Sequence, residues 1–308
     1  MGWNIGANDT ANCIGTTLGC GLVSFRIASI LVAVFATLGA LFQGGDVMET
    51  IGSGIVRSAL QPMALLVALV SAGFFVTLAT FFKIPTSTSQ AVVGAIAGIG
   101  FATQSEVNTR TFVFILESWV FCPIMVLVLA FICMYLMRIF LRIYGKKTLL
   151  FQNILGWLTI FSACYVAYSL GADNAGNAVG LLSRAGFLND RLLLLLGGLS
   201  IALGALTYGK KVSDTVGKGI TSLDVPGAFI AQVSSATGVH FFSMLGVPVS
   251  TSSAIVSAVV GVGLVKGGRN VSRKTLFTIV SGWIFTPALA LAFSFLLYRG
   301  IILFYGLL

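Results

Sequence analysis

Gly6-Ala7-Asn8-Asp9-Thr10-Ala11-Asn12 returns about 165 residues later as Gly171-Ala172-Asp173-Asn174-Ala175-Gly176-Asn177. The same offset lays Gly15 on Gly180, Leu38-Gly39-Ala40-Leu41 on Leu203-Gly204-Ala205-Leu206, and Glu49-Thr50 on Asp214-Thr215. It also lays Gly52, Gly54 and Ile55 on Gly217, Gly219 and Ile220. After a small slip, Pro85-Thr86-Ser87-Thr88-Ser89 falls on Pro248-Val249-Ser250-Thr251-Ser252, and Trp119 and Pro123 fall on Trp283 and Pro287. Blocks recurring in one order mark an internal duplication. The first copy is expected over 1–145 and the second over 146–308, within one integrated transmembrane domain. A full apolar stretch, Leu149–Leu170, precedes the second motif, while the first motif begins almost at Met1. Symmetry therefore expects a helix before Gly6.

The rest of the chain has the composition of a membrane protein. Its 308 residues are 57% hydrophobic and only 9% charged, against about 25% charged in soluble domains. Mean hydropathy is +1.02. Apolar runs at Ile27–Phe42, Pro62–Phe82, Thr111–Met137, Leu149–Leu170, Leu192–Leu206 and Leu276–Leu297 suit membrane helices, some broken or re-entrant. The expected fold is all-α and polytopic, and the expected location is the cell membrane, in several passes. The net charge of +9 comes mostly from loops between apolar runs. No basic stripe interleaved with aromatics suggests a nucleic-acid partner. The five cysteines are odd in number, lack a CxxC pair and lie in or beside apolar segments, so they read as small buried hydrophobes.

Loop charge sets the relative direction of the copies. Gln104–Arg110 sums to zero, whereas its counterpart Lys266–Lys274 sums to +4, as does the junction Arg138–Lys147. Both +4 loops belong on the cytoplasmic side. Thr111–Met137 then runs inward and its repeat partner Leu276–Leu297 runs outward, which is an inverted-topology repeat.

Polar residues inside such a chain carry its chemistry, because an unpaired charge in hydrocarbon is costly. Two kinds of cluster occur, each twice. The first is Asn8-Asp9 with Asn12, and Asp173-Asn174 with Asn177, bracketed by Gly6 and Gly15 or by Gly171 and Gly180. A carboxylate with amide oxygens, and backbone carbonyls freed at a glycine break, would form a hard-oxygen cage for a small cation; asparagine NH2 groups can donate to an anion. The bland alternative is helix capping at a kink. The second kind is Pro85-Thr86-Ser87-Thr88-Ser89-Gln90 and Pro248-Val249-Ser250-Thr251-Ser252-Ser253. Proline followed by hydroxyl residues starts a helix. Between apolar runs, such a start points a helix N-terminus, with its free N–H groups, into the membrane as an anion site. The alternative here is N-capping with hydroxyl packing between helices.

The Gly6–Asn12 segment, its altered copy Gly171–Asn177 and the paired Ser-Thr-Ser segments resemble the inorganic phosphate transporter family, whose duplicated signature is Gly-Ala-Asn-Asp-x-Ala-Asn. The resemblance runs through essentially the whole chain. It implies an inverted-repeat, often homodimeric symporter that carries inorganic phosphate with sodium or, in some members, protons. Carried over by position, phosphate would meet Asn8, Asp9, Ser87, Thr88, Ser89, Gln90, Asn174, Ser250, Thr251, Ser252 and Ser253. Sodium ions, as co-transported ligands, would meet Asp9, Asn12, Asp173, Asn177, Thr88 and Thr251. The chain departs from the pattern in its second motif, which reads Asp-Asn. It has Gln90 and Ser253 where many members have histidine, and Ala36 where many have an acid.

Other readings stay open at this point: a proton-coupled carrier, a carrier of sulphate or another tetrahedral oxyanion, or a channel, which would need no buried binding cage. Enzyme chemistry is not expected, because no Ser/His/Asp set, HExxH or P-loop appears. Glu117 stands in an apolar run with Ser281 as its repeat mate, as a cation ligand, a gate or a structural partner. His240, the sole histidine, is expected to be a hydrogen-bonded interior residue.

Overall fold

The computed structural model describes residues 1–82, 86–144, 149–186, 188–210, 213, 223–267 and 273–305. Lys83, Pro85, Lys146, Lys147, Arg269 and the repeat block from Asp214 to Ile220 lie outside the described residues. The chain is helical: α1 (Gly2–Gly19), α2 (Phe25–Gln43), α3 (Gly45–Glu49) running on into a π-helical turn (Thr50–Gly54), α4 (Pro62–Phe81), α5 (Thr88–Ala102) and α6 (Thr109–Tyr144). There follow α7 (Leu149–Ser183), α8 (Asp190–Thr207), α9 (Val225–Met244), α10 (Thr251–Val265) and α11 (Arg273–Tyr305). Among the described residues, α2, α4, α6, α7, α8 and α11 are long and apolar enough to cross a bilayer. Their outer faces carry large apolar side chains such as Phe121, Ile284, Phe285 and Leu303, which suits lipid.

Local sequence sets where helices begin. Ser24 accepts from the N–H of Ile27, Asn189 from Leu192 at 2.8 Å, and Asp224 from Gly227 at 3.0 Å. Each is an N-cap that satisfies an amide the helix cannot. Pro62 opens α4, where its missing N–H costs nothing.

Two helix pairs enter and leave by the same side. Val56, just before α4, forms an antiparallel bridge with Val107, just after α5. Asp224, the cap of α9, accepts from Lys266 Nζ, just after α10, at 2.5 Å. Thus α4–α5 and α9–α10 are re-entrant hairpins, one from each side, and α5 and α10 are half-helices that begin inside the bundle. At the second hairpin's tip Gly246 has φ of +68° and packs on the carbonyl of Asp46, a conformation and approach that suit glycine alone.

Packing contacts fix the inversion. Gly98 of α5 lies on the Leu291 carbonyl of α11; its mate Gly261 of α10 lies on the Leu127 carbonyl of α6. Alongside α6, Trp119 Nε1 donates to Pro248 O before α10 starts, and Arg138 Nη1 donates to Val265 O where α10 ends, so the two helices run together. But α6 starts from the side toward which α5 points. Hence α5 and α10 point in opposite directions, as loop charge requires. The same exchange recurs in the motif helices: Gly6 packs on the Ile201 carbonyl and Gly171 on Ala36, while Gly39 packs on Tyr168 and Gly204 on Trp3.

The motif glycines therefore do not break their helices. Helix α1 runs through Gly6–Asn12 without interruption, and α7 carries the second motif as the continuation of one 35-residue helix. The expected freed carbonyls are absent there, and the glycines serve close helix crossing. The breaks are at the Ser-Thr-Ser segments instead. We expect Gly171→Val and Gly6→Val each to destabilise the protein by about 3 kcal/mol, because the new side chain meets a backbone carbonyl. Gly300→Ala, whose methyl meets nothing within 4 Å, should cost nothing. Thermal unfolding in detergent measures both.

Candidate functional site

The half-helix N-termini meet the two motif helices in the middle of the bundle. At the start of α5, Ser87 Oγ accepts from Gln90 N at 3.3 Å; at the start of α10, Ser250 Oγ accepts from Ser253 N at 3.1 Å. Just ahead of them, Thr86 N donates to Asn8 Oδ1 at 3.3 Å and Val249 N donates to Asp173 Oδ1 at 3.0 Å. Each half-helix is thus capped by its own serine, and the residue before that serine is held by the motif helix of its own repeat.

Most of the remaining contacts cross between repeats. Ser89 Oγ donates to Val249 O at 2.7 Å, and Ser252 Oγ donates to Thr86 O at 3.1 Å. Asn177 Nδ2 donates to Ser89 Oγ at 2.9 Å, and Asn12 Nδ2 donates to Ser252 Oγ at 2.8 Å. Asp173 Oδ2 lies 3.3 Å from Ser89 Oγ and accepts from Asn174 Nδ2 at 3.1 Å. Asp9 Oδ1 accepts from Asn12 Nδ2 at 3.0 Å and lies 3.4 Å from Ser252 Oγ. Asn174 Nδ2 also reaches Thr251 Oγ1 at 3.3 Å.

Thr88 joins the two motifs directly. Its Oγ1 lies 2.9 Å from Asp9 Oδ2 and 2.9 Å from Asn174 Oδ1. Both are acceptors, and a hydroxyl has one proton. One of these contacts is therefore oxygen against oxygen, in a place where Asp9 is 1% exposed and Asn174 fully buried. Three converging oxygens, one of them a carboxylate's, are the chemistry of a hard-cation site. Neighbouring hydroxyls and amide N–H groups at two helix ends are the chemistry of an oxyanion site.

Every residue carried over as a phosphate or sodium ligand is buried, none more than 4% exposed. Their placements differ. Asp9, Asn12, Thr88, Ser89, Asp173, Asn174, Asn177, Thr251 and Ser252 share one hydrogen-bonded cluster. Ser87 and Ser250 are engaged as caps. Gln90 and Ser253 show only local bonds to those caps, and Gln90 Oε1 has no partner. Asn8 turns its Nδ2 to Thr80 Oγ1 on α4, at 3.0 Å. Glu117 stands exposed on α6, beside a groove of about 740 Å³ also lined by Thr50, Arg110 and Gly246. His240 differs from expectation: its Nδ1 has no hydrogen-bond partner, and its ring packs between Tyr165 and Tyr168 at 5.5 and 5.8 Å. Sequence reasoning passed over Thr80 and the backbone of Thr86 and Val249. A hydroxyl at both repeat-matched positions, Thr80 and Ser243, is the signal that would have found the first.

The model of the phosphate transporter family matches this chain twice, over residues 5–154 and 142–294. The chain belongs to the phosphate transporter family. It is 33% identical over 296 residues to a putative phosphate permease of Methanocaldococcus jannaschii, covering 96% of this chain and 92% of that protein. It is also 33% identical over 298 residues to the sulfate permease CysP of Bacillus subtilis, covering 96% and 83%. Among solved structures it matches "The sodium-dependent phosphate transporter" with a TM-score of 0.87 and 28% identity, over 98% of this chain and 96% of that one. This member of the family is thus an all-helical, multi-pass membrane permease and not an enzyme.

The caps yield a prediction. Ser87→Ala and Ser250→Ala should each cost about 1 kcal/mol, seen as a fall of about 2 °C in the melting temperature of the ligand-free protein. The half-saturation for phosphate should change less than in Thr88→Val, whose hydroxyl sits in the cluster itself. Thermal scans and uptake titrations on the same preparations measure this.

Proposed function

We propose that this permease is a secondary symporter that carries inorganic phosphate together with sodium ions, through two inverted repeats spanning 1–145 and 146–308. The observation that carries the reading is the Thr88 bridge between Asp9 and Asn174 at the meeting of the two half-helix N-termini. Sodium at the carboxylate and amide oxygens, near Asp9, Asn12, Thr88, Asp173, Asn177 and Thr251, offsets the charge of the anion. Phosphate takes the donors at the helix starts, chiefly Ser89, Thr251, Ser252 and Asn174, with Asn8, Ser87, Gln90, Ser250 and Ser253 behind them. A multiply charged anion is prohibitive in hydrocarbon alone. Binding cations beside it lowers the charge of the whole package, which is a physical reason for obligate coupling.

A sulphate carrier is the second reading, supported by the equal identity to a sulfate permease. The acids favour phosphate, since phosphate still carries a proton near neutral pH and can donate it to Asp9 or Asp173, whereas sulphate has none to give.

Uptake of labelled phosphate into proteoliposomes, with sodium and proton gradients imposed separately, tests the proposal. Accumulation should follow the sodium gradient and resist a large excess of sulphate. Asp9→Asn should reduce sodium-driven uptake to background in protein that still folds. Uptake driven by protons alone, or inhibited equally by sulphate, would replace the reading with one of its rivals.

A further inference from the structure

The repeat relation, applied to hydrogen bonds rather than to residues, exposes one position where the halves differ. Asn8 and Asp173 are mates, and each accepts from a backbone N–H ahead of its half-helix. Asn8 has a second bond, from Nδ2 to Thr80 Oγ1 on the outgoing arm of its hairpin. The mate of Thr80 is Ser243, on α9. Ser243 is fully buried, and its Oγ has no hydrogen-bond partner. It does not even bond back to its own helix, as Thr80 does to Val76 O at 2.7 Å.

Helical phase places Ser243 beside the second motif independently of the repeat. Along the α7–α9 contact, Ser162 bonds Gln232 at 2.6 Å, Ser169 bonds Ala236 O at 3.2 Å, and Tyr168 stacks on His240. Positions 232, 236, 240 and 243 lie on one face of α9. The next turn brings Ser243 level with the segment of α7 that holds Asp173 and Asn177. In that segment a second buried atom is orphaned: Asn177 Oδ1, on a residue 1% exposed, whose Nδ2 is already used twice.

The chemistry of the two slots follows from one difference. An amide at position 8 donates its own proton to the hydroxyl opposite. A carboxylate at position 173 has no proton to give, and the one proton opposite it, on the Ser243 hydroxyl, is used in no hydrogen bond. A hard monovalent cation bridges carboxylate and hydroxyl oxygens. We propose that Ser243 Oγ is a ligand of a cation held by Asp173 and Asn177 Oδ1, a slot that the first repeat has closed with the Asn8–Thr80 bond. The proposal rests on the sodium reading above and adds to it a residue on the hairpin helix α9.

The test uses purified full-length protein and a binding readout independent of transport. Sodium chloride, against choline chloride at equal ionic strength, should raise the melting temperature of the wild type, as a ligand of the native state does. Ser243→Ala should move the sodium concentration for half-maximal stabilisation up by about tenfold, the scale on which even outer partners of a metal site act. Ser243→Cys, nearly isosteric but with a soft sulfur, should do the same and guards against a simple packing defect. Thr80→Val, which removes the mate's bond, should lower the melting temperature at zero sodium and leave the sodium midpoint unchanged. Equal sodium midpoints in wild type, Ser243→Ala and Ser243→Cys would overturn the assignment of Ser243 while leaving sodium coupling intact. No sodium response in the wild type would overturn both.

Discussion

A helix that starts inside a membrane must satisfy its first amides without water, and most of this structure follows from that requirement. Both α5 and α10 start in the interior, at Thr88 and Thr251. In hydrocarbon each unsatisfied N–H costs several kcal/mol. Serine caps answer part of the need locally. Asn8 and Asp173 from α1 and α7 hold the amides of Thr86 and Val249, just ahead of the two caps, so the motif helices are bound to the hairpins where the half-helices begin. The polar cluster is a structural necessity before any ligand is considered.

The two motifs carry their acids at non-equivalent positions, which sets the charge around Thr88. Asp9 and Asn174 are repeat mates that flank the same Thr88 hydroxyl, each at 2.9 Å. Carboxylates in both places would lie within about 6 Å of each other, where like charges in a poorly screened interior repel by several kcal/mol. The Asp-Asn order of the second motif moves its acid to position 173, where a backbone N–H, a hydroxyl and an amide surround it. The pseudo-symmetry is kept in the backbone and broken in the charge.

Much of this was legible in the sequence because duplication amplifies weak signals. A single Asn-Asp pair or Ser-Thr-Ser run reads equally well as a cap, whereas two copies at one offset point to a shared centre. Loop charge likewise gave the inversion that the crossings of Gly98 and Gly261 display. What could not be read was whether a glycine breaks a helix or admits a neighbour. Gly6 and Gly171 do the second, and only the carbonyls of Ile201 and Ala36, distant in sequence, decide it. The closure of the first hairpin by Val56 and Val107 was hidden for the same reason, since one isolated bridge leaves no periodicity. The choice for Ser87 and Ser250 between cap and ligand turned on side-chain direction, which residue type does not encode.

The position of the cluster between two apolar cores bears on how transport can proceed. One core is formed largely by α1, α2, α7 and α8, around Ile14, Val32, Leu170 and Ile201. The other gathers the hairpins with α6, around Val93, Ile96, Cys122, Val126 and Val259. Motif residues belong to helices of the first core and the Ser-Thr-Ser residues to helices of the second. Apolar packing resists displacement because each lost contact exposes surface or opens a void. Hydrogen bonds among Asn, Ser and Thr can instead be exchanged for bonds to a bound ion with little net change. The seam is therefore where relative movement of the two cores costs least. On the symport reading, bound ions complete the contacts across the seam, so an empty and a loaded carrier differ in how firmly the cores are joined. Coupling then needs no separate signal between sites, because both kinds of ligand act on the one joint.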